Sequence, residues 1–163
     1  MSLTFRIIGC GSSGGVPRLD GNWGACDPKN PKNRRTRCSM LVQQKTDKGT
    51  TTVLVDTSPD MRAQLIDANV TWLDAIFYTH GHADQTHGID DVRAMVYAKR
   101  QRIEVFMDAA TSKTLTSSFG YCFEQAEGSL YPAILKDNRI STPYQEINVT
   151  GAGGTISAMP LIS

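Results

Sequence analysis

Histidine is scarce in this chain, three residues in 163, and net charge is scarcer still: 17 Lys and Arg stand against 16 Asp and Glu. With histidines neutral the balance is +1, so no global field steers the molecule toward nucleic acid or an anionic membrane, and neither is expected as a partner. No apolar run approaches the roughly 18 to 20 residues that span a bilayer. The start MSLTFRIIGC lacks the basic-then-apolar order of a secretory signal, so the expected address is the cytoplasm. No CxxC pair occurs. Cys10, Cys26, Cys38 and Cys122 are irregularly spaced, which argues against a zinc knuckle or a disulfide framework and for reduced thiols.

What is present is a globular composition, 40% apolar and 20% charged, over a length suited to one domain, residues 1–163. Internal repeats and low-complexity segments are absent. Leu3 to Ile8 reads as a strand entering the glycine-rich loop 9–17, and Arg18 to Arg37 as a long surface loop. Ser39 to Gln44 and Thr51 to Asp56 read as a hairpin turning over Lys45 to Gly49. Ser58 is placed as an N-cap with Pro59 at the first helical position, and Met61, Leu65 and Ile66 on one face of a helix through about Ala68. A strand is expected at Leu73 to Tyr78, a helix within Ile89 to Arg100, a strand at Ile103 to Met107 and a helix over Ala109 to Phe119. After a loop, Glu146 to Val149 and Thr155 to Met159 read as strands flanking Gly151 to Gly154.

All three histidines, His80, His82 and His87, lie in the single stretch Thr79-His-Gly-His-Ala-Asp-Gln-Thr-His-Gly88 that follows a strand. While the backbone stays extended, side chains alternate with period two, so His80, His82 and Asp84 project to one side. Two imidazoles and a carboxylate form a ligand set suited to zinc, manganese or iron.

This stretch resembles the HxHxDH motif of the metallo-β-lactamase fold, an α/β (α+β) αββα sandwich that carries one or two metal ions between its sheets. The loop Gly9 to Pro17, the Cys38-Ser39 pair, the segment Val55 to Asp60 and the run His87 to Asp91 resemble one branch of that family. It is the branch of the phosphoribosyl cyclic phosphate phosphodiesterase and related metal-dependent hydrolases. The resemblance implies that His80 and His82 hold a first divalent metal, zinc or manganese, and that Asp84 ligates a second and serves catalysis by holding the attacking hydroxide. It implies that Asp56 supports a ligating imidazole, which outweighs the plainer reading of a strand-terminal turn residue.

Two departures qualify this. Gln85 stands where the motif has a histidine; an amide oxygen is a weaker donor, so the second metal site is expected to lose affinity or to shift toward harder ions. His87 reads either as a substitute ligand or, more simply, as a helix-start residue supporting the ligands. No histidine follows His87, whereas the family's remaining ligands lie in its C-terminal part, so the chain reads as the N-terminal portion of the fold with its site half built. An uncovered sheet face is then expected, and a homodimer is one way to cover it.

The run Gly9-x-Gly11-x-x-Gly14 matches a dinucleotide fingerprint letter for letter, but Val16-Pro17 and the loop beyond form no helix to receive a pyrophosphate. Instead the amides of Ser12, Ser13 and Gly14 are candidates to touch a substrate phosphate. The basic run Lys29 to Arg37 reads as a solvated loop, with one or two arginines available to a phosphorylated substrate. The functional expectation is a metal-dependent phosphodiesterase acting on a small cyclic or nucleotide-like phosphodiester, with the site incomplete in this chain and catalysis by this chain alone not expected. The alternative is a non-catalytic relative used for binding or assembly.

Overall fold

Alternating apolar residues set the sheet. The computed structural model describes residues 1–161. In β2 (Ser39–Thr46) and β3 (Gly49–Val55), Leu41 and Leu54 face one way while Val42 and Val53 face the other. The first row continues through Ile76 of β4 (Ala75–Phe77) and Val105 of β5 (Ile103–Met107), and the second through Ala75. With β1 (Ser2–Gly9) and β6 (Leu135–Arg139) they form a six-stranded sheet in sequence order. Strands β1 to β3 are antiparallel neighbours and β3 to β6 parallel ones.

Parallel neighbours need crossovers. Those crossovers carry α1 (Met61–Asp67), the four-residue α2 (Ala83–Thr86), α3 (Arg93–Lys99) and α4 (Ala109–Phe123). Met61, Leu65, Val96, Leu115 and Phe123 bury themselves on the face of Leu41, Leu54, Ile76 and Val105, each worth about 1.5–3 kcal/mol of apolar burial. The opposite face packs Val42, Val53 and Ala75 against Val149 and Ile156 of a hairpin, β7 (Ile147–Gly151) and β8 (Gly154–Ala158). Thr51 anchors that hairpin: its Oγ1 donates to the Gly154 carbonyl at 2.7 Å and accepts the Gly153 N–H at 3.0 Å. Gly153 is required by this close approach, since a Cβ there would collide with the Gln44 carbonyl oxygen. Helices on one face of a mixed sheet and a second β layer on the other give the mixed α/β architecture expected from the sequence.

Several local expectations shift. The first helix begins at Met61 after Asp60, not at Ser58 and Pro59, which form a turn closed by the Met61 N–H to Ser58 carbonyl bond. Ile66 is 58% exposed; the buried face is Met61, Gln64 and Leu65, the i, i+3, i+4 set. The strands β2 and β3 extend to Thr46 and from Gly49, so the hairpin turn is tighter than expected. Strand β6, Leu-Lys-Asp-Asn-Arg, went unread because an edge strand with one buried residue lacks an apolar alternation. Helix α4 runs past Phe119 through a kink there (φ −130°, ψ 36°) beside Gly120. Residues 18–37 are a loop apart from a single 3-10 turn at Pro31–Asn33.

One face stays open. Phe5 pairs with Val42 and Ile7 with Met40, so Leu3, Phe5 and Ile7 lie on the hairpin's side of the sheet, 51%, 64% and 71% exposed.

Candidate metal centre

Strands β3, β4 and β5 end at one edge of the sheet, and β1, running in the same direction, delivers the glycine loop there as well. The carboxyl ends of parallel strands are where open α/β sheets form crevices. The β3–α1 turn brings Asp56 and Asp60 to that edge, and the β4–α2 turn brings Thr79 to Asp84.

The backbone is extended at His82 (φ −73°, ψ 153°) and turns helical at Ala83, so Asp84 sits in the first turn of α2 rather than on a continued strand. It converges on the histidines nonetheless. The ligand atoms of His80, His82 and Asp84 all lie within 4.8 Å of one another, and the two imidazoles meet edge to face, centroids 4.6 Å apart. A tetrahedral ion with bonds of about 2.0–2.2 Å separates its ligands by roughly 3.4 Å, so modest rotation of these two exposed rings closes the set. Three protein donors with room for a further ligand is the usual composition of a catalytic zinc site.

Asp56 is 4% exposed and takes φ +63°, a backbone region β-strand residues rarely enter. Its Oδ1 accepts the Thr79 N–H at 2.8 Å and its Oδ2 accepts the Thr79 hydroxyl at 2.7 Å. Burial pushes this carboxyl above the usual range, while the two Thr79 bonds pull it back. The same Thr79 hydroxyl lies 3.0 Å from His80 Nδ1. Its single proton is committed to the carboxylate, so it accepts from Nδ1–H, which leaves the Nε2 lone pair of His80 free for a metal. Asp56 thus supports His80 through Thr79 rather than by touching the ring. Thr79 is the functional residue the sequence reading missed; the signal was a hydroxyl residue directly before the first histidine.

Gln85 is 8% exposed. Its Nε2 donates to Asp84 Oδ2 at 3.0 Å, and its Oε1 is buried without a partner among the described residues. An orphaned buried acceptor on the side chain that donates to Asp84 is the kind of oxygen donor a divalent cation takes. His87 lies outside the ligand group, at the end of α2 rather than at a helix start. Its Nδ1 is 3.1 Å from the Thr86 hydroxyl, which donates to the His82 carbonyl, and its ring packs edge-on against Phe119. Ser12, Ser13 and Gly14 are exposed, and of the three only Gly14 lines a cleft, formed with the residues 34–37. A larger cavity of about 820 Å³ opens beside His80 between Phe77, Tyr78, Asp108 and Ile140.

Cys10, Cys26, Cys38 and Cys122 are free thiols. Among the described residues no helix is long and apolar enough to cross a membrane.

Comparison with known proteins places these features. Residues 51–163 match the family described as Beta-lactamase superfamily domain. The crystal structure of a new diphosphatase from the PhnP family superimposes with a TM-score of 0.73 at 31% identity, covering 90% of this chain and 53% of that one. Zn(2+)-bound PqqB from Methylobacterium extorquens gives a TM-score of 0.61 at 16% identity over 90% of this chain and 48% of its own, a likeness of fold. An octanoyltransferase of Porphyromonas gingivalis is 31% identical over 119 residues, 73% of this chain but 23% of that protein. The chain therefore spans about half the length of the solved relatives and less than a quarter of the curated one.

Proposed function

This chain belongs to the beta-lactamase superfamily, with the metallo-β-lactamase fold in a PhnP-like branch, and we propose that it is the N-terminal portion of a divalent-metal-dependent hydrolase acting on small phosphodiesters. The observation that carries the reading is the convergence of His80, His82 and Asp84 within 4.8 Å. Zinc or manganese held by these donors would supply Lewis acidity and an acidified water. Thr79, locked by Asp56, presents the Nε2 of His80. Asp84, its carboxylate braced by the Gln85 amide at 3.0 Å, would be a donor to that ion and orient the attacking water, and the unpartnered Gln85 Oε1 would be a further, weaker oxygen donor. The wall of Phe77 and Ile140 seats the apolar part of a leaving group, and the amides of Ser12, Ser13 and Gly14 receive a phosphate oxygen.

Elemental analysis of protein purified without added metal, followed by hydrolysis of bis(p-nitrophenyl) phosphate with zinc or manganese, tests this. The expected result is about one ion or more per chain, lost in His80→Ala and His82→Ala together with any hydrolysis. A folded chain that binds neither metal overturns it.

A second reading, assembly, rests on the open face of Leu3, Phe5 and Ile7. We propose that a second copy covers it. Light scattering should then show a dimer that Phe5→Glu converts to monomer, and a monodisperse wild-type monomer at high concentration would end this reading.

A further inference from the structure

Thr57 follows Asp56 at the end of β3 and is wholly buried, at 0% exposure. The chain turns at Asp56 (φ +63°), and Thr57 leaves the sheet to meet the far end of the metal loop. Its N–H donates to the Gln85 carbonyl at 2.8 Å, and its carbonyl accepts the Gly88 N–H at 2.9 Å. Its hydroxyl donates to the Thr86 carbonyl at 3.1 Å. That commits its one proton, so the Tyr78 hydroxyl, 3.0 Å away, is the donor to Thr57 Oγ1. Thr57 is thus bonded to Gln85, Thr86 and Gly88, three of the four residues that follow Asp84. Gly88 permits the approach, because a Cβ there would collide with the Ser58 carbonyl oxygen.

These bonds matter because α2 is too short to hold itself. Its four residues make one turn, and an isolated turn is unstable, since the bonds it closes do not repay the dihedrals it fixes. Its own ties are the Gln85 N–H and the Thr86 hydroxyl to the His82 carbonyl, at 3.0 and 2.9 Å, and the His87 N–H to the Ala83 carbonyl at 3.0 Å. The Asp84 carboxylate bonds only to Gln85 Nε2, which rides on the same turn. Among the described residues, every hydrogen bond that residues 83–88 make beyond the stretch 82–91 goes to Thr57. The place of the turn, and of Asp84 on it, is therefore set from the end of β3.

We infer that Thr57 is a positioning residue for the metal centre: it fixes the single turn that carries Asp84, and so sets where that carboxylate stands against His80 and His82. Asp56 and Thr57 then work as a pair. Asp56 holds Thr79, just before His80, through its N–H and its hydroxyl, and Thr57 holds the residues just after Asp84. Two adjacent residues thereby pin both ends of the ligand stretch. The inference rests on the metal reading of His80, His82 and Asp84 for its consequence, while the hydrogen bonds that carry it are testable in chain stripped of metal.

Thr57→Val keeps the volume and removes the hydroxyl. Zinc affinity in chelator competition should fall about 10- to 100-fold, and Thr57→Ser should return it to within about threefold of wild type. Thr51→Val makes the same change at another fully buried threonine, on the hairpin side, and should shift zinc affinity less than about twofold. In an Asp84→Asn background Thr57→Val should cost less than about twofold more, because its effect runs through that carboxylate. Hydrogen exchange on EDTA-treated protein gives the second readout: the amides of Gln85, His87 and Gly88 should exchange faster in Thr57→Val than in wild type or Thr57→Ser. Should Thr57→Val unfold by circular dichroism, Thr57→Val/Tyr78→Phe replaces it, since it leaves no phenol without an acceptor. Wild-type affinity in Thr57→Val, equal weakness in Thr57→Ser, an equal loss in Thr51→Val, or the full loss repeated in the Asp84→Asn background each overturns the inference. A wild type that binds no zinc ends the metal reading and leaves exchange to decide: faster exchange in Thr57→Val alone upholds Thr57 as the residue that places Asp84, and equal exchange overturns it.

Discussion

Gln85 gives its amide to Asp84, Nε2 to Oδ2 at 3.0 Å, and leaves its own Oε1 buried without a partner among the described residues. One side chain is thus both a brace for the Asp84 carboxylate and an unsatisfied acceptor. An unpartnered buried polar atom costs about 1–3 kcal/mol, so Gln85 is a cost to the metal-free fold that a cation ligand would offset.

That cost can be measured. Gln85→Leu removes the orphan and the brace together. The thermal midpoint of the metal-free chain should hold or rise, because the desolvation penalty disappears, whereas zinc affinity in chelator competition should fall by about tenfold. Parallel loss of stability and affinity would mean that Gln85 is simply a packing residue.

Thr79 is the link between Asp56 and His80, so its hydroxyl sets which nitrogen of His80 bears the proton. Thr79→Val keeps the volume and removes the link; metal affinity should drop about 10- to 100-fold. Thr79→Ser restores the hydroxyl and should restore most of the affinity. Equal affinities for the valine and serine variants would dismiss the relay.

Burial raises the Asp60 carboxyl, but the side-chain and backbone bonds from Arg37 and its charge together outweigh it and hold Asp60 below the usual carboxylate range. A depressed folded pKa contributes stability that is present above the unfolded value, about 3.9, and is lost as pH falls through the lower folded one. Asp60→Asn should therefore cost about 1–2 kcal/mol at pH 7 and markedly less near pH 2–3. Urea unfolding at the two pH values is the check, and a pH-independent difference would refute the linkage.

Burial beside Asp90 pushes the Cys122 thiol up to about 12, whereas Cys10 and Cys38 are exposed. Thiolate is the reactive form. Cys10 and Cys38 should react with a disulfide reagent at neutral pH in the native protein, and Cys122 only after denaturation; rapid native labelling at Cys122 by peptide mapping would contradict its placement.

Thr51 ties the β7–β8 hairpin to the main sheet by two bonds. Thr51→Val leaves the Gly153 N–H and the Gly154 carbonyl without that partner and should cost about 1–3 kcal/mol, read by chemical denaturation. A neutral substitution would mean that apolar contacts through Val149 and Ile156 alone seat the hairpin.

The sequence by itself determined the strand rows, since Leu41, Val42, Val53 and Leu54 could bury their faces only at period two. It also determined the convergence of His80, His82 and Asp84, which are so close along the chain that a strand end and one helical turn bring them together. The tertiary structure decided whatever depends on partners distant in sequence. Strand β6 exists because β5 offers it a parallel edge, not because Leu135 to Arg139 alternates. Asp56 acts through Thr79, and Asp60 holds Arg37, because the β3–α1 turn lies between the β4 turn and the arginine loop. Residues 34–37 border a cleft with Gly14 to Val16 because the glycine loop is strapped to them by backbone bonds. Local periodicity carries burial, but the pairing of one turn with another is set by strand order, which no single segment of the chain encodes.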